Sequence, residues 1–229
     1  MCRKKDAGFL EAKEVQNKKI LIGLVLFLII ILVAGCPPRQ EPPSSIDLEK
    51  QNLQRQINSD YRNPELHYKL GKLYQVGGFW VRAEQEFRIA LNFDPVHKPS
   101  QAALVKTLFD SGQSVKAKET ATFFMDFASP SETASLELGI YLQNENLDDN
   151  AFTCYQRALN LAPKSAKVNK HLGFFYLKKG DKENAKRYLI ESFNANPYQP
   201  DVATELGKLG VPIEIVPLNK NPALSNPDK

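Results

Sequence analysis

Residues 64–95 read PELHYKLGKLYQVGGFWVRAEQEFRIALNFDP. The pair Leu70-Gly71 in this stretch returns as Leu138-Gly139, Leu172-Gly173 and Leu206-Gly207, always at multiples of 34 residues, and Leu104-Val105 fills the one missing slot. Alanine keeps the same interval at Ala83, Ala117, Ala151 and Ala185. Proline keeps it at Pro95, Pro163 and Pro197, with Pro130 displaced by one. A fixed period of roughly 20 to 50 residues marks stacked units, each unable to bury its apolar face alone.

Within each unit the apolar spacing specifies two amphipathic helices, broken near Gly78, Gly112, Asn146 and Gly180 and ended by the proline turn. Glycine and alanine fall where paired helices approach closely, so a larger side chain there would push them apart. Leucines and aromatics fill the gaps between.

The residues Leu70, Gly71, Tyr74, Gly78, Ala83, Phe87, Ala90 and Pro95 resemble the tetratricopeptide repeat, TPR, with His67 in place of its usual tryptophan. The resemblance covers residues 64 to 209. It implies an all-α TPR superhelix, an α-solenoid of about four helix-turn-helix repeats at 64–97, 98–131, 132–165 and 166–199, with a cap at 200–209. The unit 98–131 departs from the pattern, with Val105 in the glycine slot and Ala121 in an aromatic slot. Phase is kept on both sides of it, so a repeat with altered packing is expected rather than a loop. Before the array, Ile46, Leu48, Leu53 and Ile57 predict a capping helix over 45–59. After it, residues 210–229 carry four prolines and no period, and read as a mobile tail in which Ile213 and Ile215 could cover the last helix.

At the other end, Ile20 to Gly35 carry no charge and follow Lys18-Lys19, the layout of a secretory signal. The run is short beside the roughly 20 residues of a membrane span. The sequence Val33-Ala34-Gly35-Cys36 resembles the lipobox of bacterial lipoproteins. That resemblance implies removal of residues 1–35 as a signal peptide and acylation of Cys36, several acyl chains giving stable anchoring. A retained helical anchor, ended by Pro37-Pro38, is the other reading. Both leave the lysines cytoplasmic and the body on the far side, facing the periplasm of a bacterial envelope. Pro37 follows the cysteine rather than the aspartate linked with inner-membrane retention in some diderm bacteria, so the outer membrane is the expected destination. Residues 36–44, CPPRQEPPS, form a proline-rich tether.

Composition narrows the function. Arg3, Lys4, Lys5, Lys13, Lys18 and Lys19 outweigh Asp6, Glu11 and Glu14 by three charges, which leaves only +1 of the total +4 on the remainder. A near-neutral body has no electrostatic footprint for nucleic acid. Cys2 and Cys36 flank the apolar run, so the body holds only Cys154, which reads as a small buried apolar residue. His67 fills a packing slot, His97 lies in a turn and His171 on a helix face, with no metal-ligand spacing among them. Asp148-Asp149 can serve a helix N-terminus, Gly77-Gly78 is a turn, and Phe123, Phe124 and Phe127 read as core. No catalytic residue, metal, cofactor or small-molecule substrate is expected.

What remains is surface. The TPR resemblance implies that residues 2, 5, 9, 12 and 13 of each unit line a peptide-binding groove: here Tyr68, Lys72, Gln75, Lys106, Phe109, Leu136, Ile140, Gln143, Lys167, Lys170, Phe174 and Lys178. Phe109, Leu136, Ile140 and Phe174 would form an apolar strip free to take a partner. The expected partner is a protein or peptide segment, amphipathic or acidic. The Lys and Asn set of the two-carboxylate clamp is not matched. The whole resembles repeat-containing lipoproteins of diderm bacteria, some of which help assemble pilus secretins or outer-membrane proteins. A structural envelope protein and a non-catalytic subunit of a membrane enzyme complex stay open beside that reading.

Overall fold

Four residues with positive φ fall 34 apart: Gly78 at 73°, Gly112 at 81°, Asn146 at 59° and Gly180 at 78°. The computed structural model describes residues 44–212, and each of these four positions separates two helices in it. The ten helices among the described residues are α1 (Ser45–Ser59), α2 (Pro64–Val76), α3 (Trp80–Phe93), α4 (Lys98–Asp110), α5 (Ser114–Ala128), α6 (Glu132–Asn144), α7 (Asp148–Leu161), α8 (Ala166–Lys178), α9 (Lys182–Ala195) and α10 (Pro200–Lys208). The protein is thus an all-α solenoid of paired helices. The leader, Cys36 with its tether up to Pro43, and the tail beyond Pro212, including Ile213 and Ile215, lie outside the described residues.

Each first helix ends in the same way. The N–H of the residue after the left-handed position returns to a carbonyl five residues back: Phe79 to Tyr74, Gln113 to Leu108, Leu147 to Leu142 and Asp181 to Tyr176, at 2.9 to 3.0 Å. This is the Schellman stop, which glycine adopts at no steric cost. Helix starts are set by side chains. Asn63, Ser131, Ser165 and Asp181 accept from N–H groups of the first turns of α2, α6, α8 and α9, each bond worth about 1 kcal/mol.

The two helices of a unit meet at the repeated glycine. A β-carbon on Gly71 would lie 2.6 Å from Phe87, on Gly139 2.6 Å from Tyr155, and on Gly173 2.5 Å from Leu189. The partners Ala83, Ala151 and Ala185 are fully buried in the facing helices. Unit 98–131 has the sizes at these two positions exchanged: Val105 replaces the glycine, Ala121 replaces the large residue, and both are buried. Phe124 then brings a ring to the slot that holds Ala90, Ala158 or Ser192 elsewhere, and α4 pairs with α5 less extensively than the other first helices pair with theirs.

A second repeated device is polar. The slot of the usual tryptophan holds His67, Gln101, Ser135 and Asn169, all buried, and each bonds a carbonyl in the preceding turn. His67 Nε2 lies 2.8 Å from the Tyr61 oxygen, Gln101 donates to Pro95 at 2.7 Å, Ser135 to Ala128 at 3.0 Å, and Asn169 to Pro163 at 2.9 Å. His67 is packed, as its slot implies, but held by hydrogen bonds, with Nδ1 2.8 Å from Glu86. Buried polar groups need such partners, and here they fix one unit against the next.

The apolar interior runs as one cluster from Leu53 and Ile57 of α1 to Leu172 and Phe175 of α8, and a smaller one of Leu189, Val202 and Leu206 closes the C-terminal end. One expectation needs correction. Phe124 is buried, but Phe123 and Phe127 are 66% and 56% exposed. In continuous helix α5, residues 117, 121, 124, 125 and 128 share the inner face. Residues 123 and 127, four apart, share another.

Candidate protein-binding surface

The first helices α2, α4, α6 and α8 carry the twelve residues expected to line a groove. Most of them are already engaged within the chain. Gln75 is buried and donates to Thr107 Oγ1 at 3.2 Å. Leu136 is 5% exposed and belongs to the core, because α4 and α6 pack closely enough to enclose it. Phe109 and Ile140 are half-buried against the main cluster, and Phe174 against the C-terminal one. The strip is therefore mostly packing surface, and Leu136 is withdrawn from it. Gln143 accepts the Tyr155 hydroxyl at 2.6 Å.

The lysines are likewise paired. Lys72 meets Glu145 at 2.7 Å, Lys106 meets Asp110, Lys170 meets Asp201 at 2.5 Å, and Lys178 meets Asp148 at 3.0 Å. Asp148 also holds Lys179 at 2.8 Å, and these lysines keep its carboxyl below the usual carboxylate range. Asp148, one of the two acids at the start of α7, thus does more than serve a helix N-terminus. Among the described residues, Lys167 is the one groove lysine without an ion pair.

Tyr68 sits half-buried between the rings of Phe87 and His97. Burial, with Glu145 and Glu65 adding, pushes its hydroxyl up to about 12. Beside it, Lys98 lines a recess of about 370 Å³ with Asp94, His97, Glu137 and Tyr141. Lys98 is 8% exposed, and burial lowers its amine while Glu137 and Asp94 oppose the shift. Burial also pushes the Cys154 thiol up to about 12, which keeps it protonated and unreactive at neutral pH.

A larger recess of about 540 Å³ opens elsewhere, between α3 and α5. Arg88, Leu91 and Asn92 of α3, Leu104 of α4, and Glu119, Thr120, Phe123 and Phe124 of α5 line it. It coincides with the unit whose sizes are exchanged. The exposed Phe123 and Phe127 stand next to each other on α5. Their spacing of four, opposite a face of Ala117, Ala121 and Ala128, was the sequence signal for this surface. Glu145 had no such signal, since its partner lies two units away.

Residues 166–199, which hold α8 and α9, match the tetratricopeptide repeat family. No curated protein sequence matches the chain. Among solved structures, MamA 41-end from Desulfovibrio magneticus RS-1 is similar at 21% identity, over 68% of this chain and 88% of that one, with a TM-score of 0.38. PilF of Pseudomonas aeruginosa is similar at 25% identity, over 66% and 68%, with a TM-score of 0.39. A thermophilic TPR protein of Thermus thermophilus is similar at 15% identity, over 72% and 90%, with a TM-score of 0.45.

Proposed function

We propose that the protein is a membrane-anchored scaffold that binds a protein segment during assembly of an envelope complex. The binding half rests on the TPR solenoid, a fold of interaction modules whose stacked helices present extended surface. Two features suit it to that work: the exposed Phe123 and Phe127 beside the large recess, and the Lys167 end of the first-helix face. The anchoring half rests on the sequence Val33-Ala34-Gly35-Cys36 behind a charge-free run. In this reading Cys36 carries the acyl chains, the tether lifts the array off the outer membrane, and the repeats face the periplasm. No catalytic step is assigned to the chain. Among the described residues no group of three His, Cys, Asp or Glu is placed to hold a metal ion.

The test is fractionation with affinity capture. Cys36→Ala should leave a larger, unlabelled species when cells are fed an acyl probe, while the array still folds. Photo-crosslinkers at 123, 127 and 167 should trap one shared protein from membranes, and crosslinkers on buried-face neighbours should not. Unchanged mass and labelling in Cys36→Ala would reject the lipid anchor in favour of a retained helix. Absence of any common crosslinked protein would reject the scaffold.

A further inference from the structure

In a solenoid each unit touches only its neighbours. The ion pair of Lys72 with Glu145 breaks that rule: it joins α2 of the first unit to the residue that ends α6 of the third, passing over α4. Nine of the thirteen residues of α4, a helix between them in the chain, are buried. Repeat packing does not require the contact. The matching positions in the other units hold Gly77, Ser111 and Lys179, so only this unit places an acid there.

Three features set the pair apart from an ordinary surface bridge. Lys72 is the ninth residue of its unit, a register expected to meet a ligand. Its side chain stays 32% exposed while that of Glu145 is only 13% exposed, so part of Lys72 faces solvent with the carboxylate in place. Glu145 is carried by a turn beside the left-handed Asn146, where it can swing away without unwinding a helix.

We propose that Glu145 stands in for a ligand carboxylate at Lys72: it holds the first-helix face shut between α2 and α6, and an acidic segment of a partner opens that face by displacing it. This rests on the protein-binding reading above. Exchange of one carboxylate for another conserves the ion pair, so opening is driven by the further contacts the segment makes. Apolar partners without an acid leave the clasp closed.

The experiment uses the full chain in detergent. Glu145→Gln and Lys72→Met both break the pair, and both should speed hydrogen exchange across residues 98–110. The double variant Lys72→Glu with Glu145→Lys should restore the protection. The binding probe is a synthetic amphipathic helix with leucines on one face and glutamates on its flank, with a lysine-flanked version as control. Glu145→Gln, which frees Lys72, should bind the acidic probe about fivefold tighter than the parent, and Lys72→Met more weakly than the parent. Equal effects of the two variants on binding would overturn the proposal, leaving the pair a structural staple. Unchanged exchange in both would overturn the clasp itself. Faster exchange with no probe bound by any variant would instead overturn the binding reading, with the clasp left standing.

Discussion

The ring of Tyr155 occupies the space beside Gly139 so fully that a β-carbon on the glycine would stand 2.6 Å from its Cε1 and 3.1 Å from the Cys154 Cβ. The ring has little freedom to yield, because it is fully buried and its hydroxyl donates to Gln143. Gly139→Ala should therefore cost about 1 to 3 kcal/mol by overpacking. Gly207 holds the same register in α10, and among the described residues nothing lies within 4 Å of its β-carbon position. Gly207→Ala should stabilise by about 0.5 to 1 kcal/mol through helix propensity. Thermal unfolding of the two variants should shift the midpoint in opposite directions, and a fall in both would contradict the open space at Gly207.

Val105 and Ala121 hold the two positions that meet in the other units, with sizes reversed, and both are buried. Val105→Gly alone leaves a void and a flexible helix residue, and Ala121→Phe alone overpacks. Together they recreate the pair seen at Gly71 and Phe87. A double-mutant cycle by denaturant unfolding should give a favourable coupling of about 1 kcal/mol or more. Additive effects would show that the two positions do not share one space.

Asn146 is the one non-glycine with positive φ among the described residues, at 59°. It fills the left-handed stop that Gly78, Gly112 and Gly180 fill in the other units. Asparagine tolerates that conformation better than most residues, and alanine does not. Asn146→Ala should lower stability by about 1 kcal/mol, and Asn146→Gly should be neutral or slightly stabilising. If the alanine variant melts at the parent's temperature, the turn is not held in this conformation in solution.

The helix pairing was legible because it is local and periodic. Leu70-Gly71 and its copies fix which faces meet, and the four breaks at 78, 112, 146 and 180 are turn chemistry that sequence states directly. The exchange of Val105 and Ala121 was also visible as two departures from one pattern. The binding surface was harder to read. Register told which residues lie on the first helices, but not that Leu136 is enclosed by α4 and α6, or that Lys72, Lys170 and Lys178 find acids elsewhere in the chain. Those contacts depend on how units stack, which no single unit encodes. Phe123 and Phe127 show the opposite failure: their helical period put them on the outer face, but apolar character alone suggested core.

His171 makes the pH dependence of the C-terminal units testable. Its ring stacks on Tyr155 with centroids 6.2 Å apart. Burial lowers its pKa, the Lys170 ammonium lowers it further, and Asp201 opposes the shift. The unfolded chain has an ordinary histidine, which titrates near 6.5. Below that pH the unfolded state binds more protons than the folded one, so stability falls as pH drops and levels off once pH is below the lowered native value. The carboxylates held low by partners, Glu84, Asp148 and Asp201, lose their contribution in a separate window, as pH falls through and below the ordinary carboxylate range. Denaturant unfolding between pH 7.5 and 5 should therefore show a loss of stability that His171→Gln removes, while the loss below about pH 4 persists in that variant. A slope between pH 7.5 and 5 that is the same in parent and variant would show that His171 is protonated as readily in the fold as out of it, and the stacking against Tyr155 would then not exclude the charged ring.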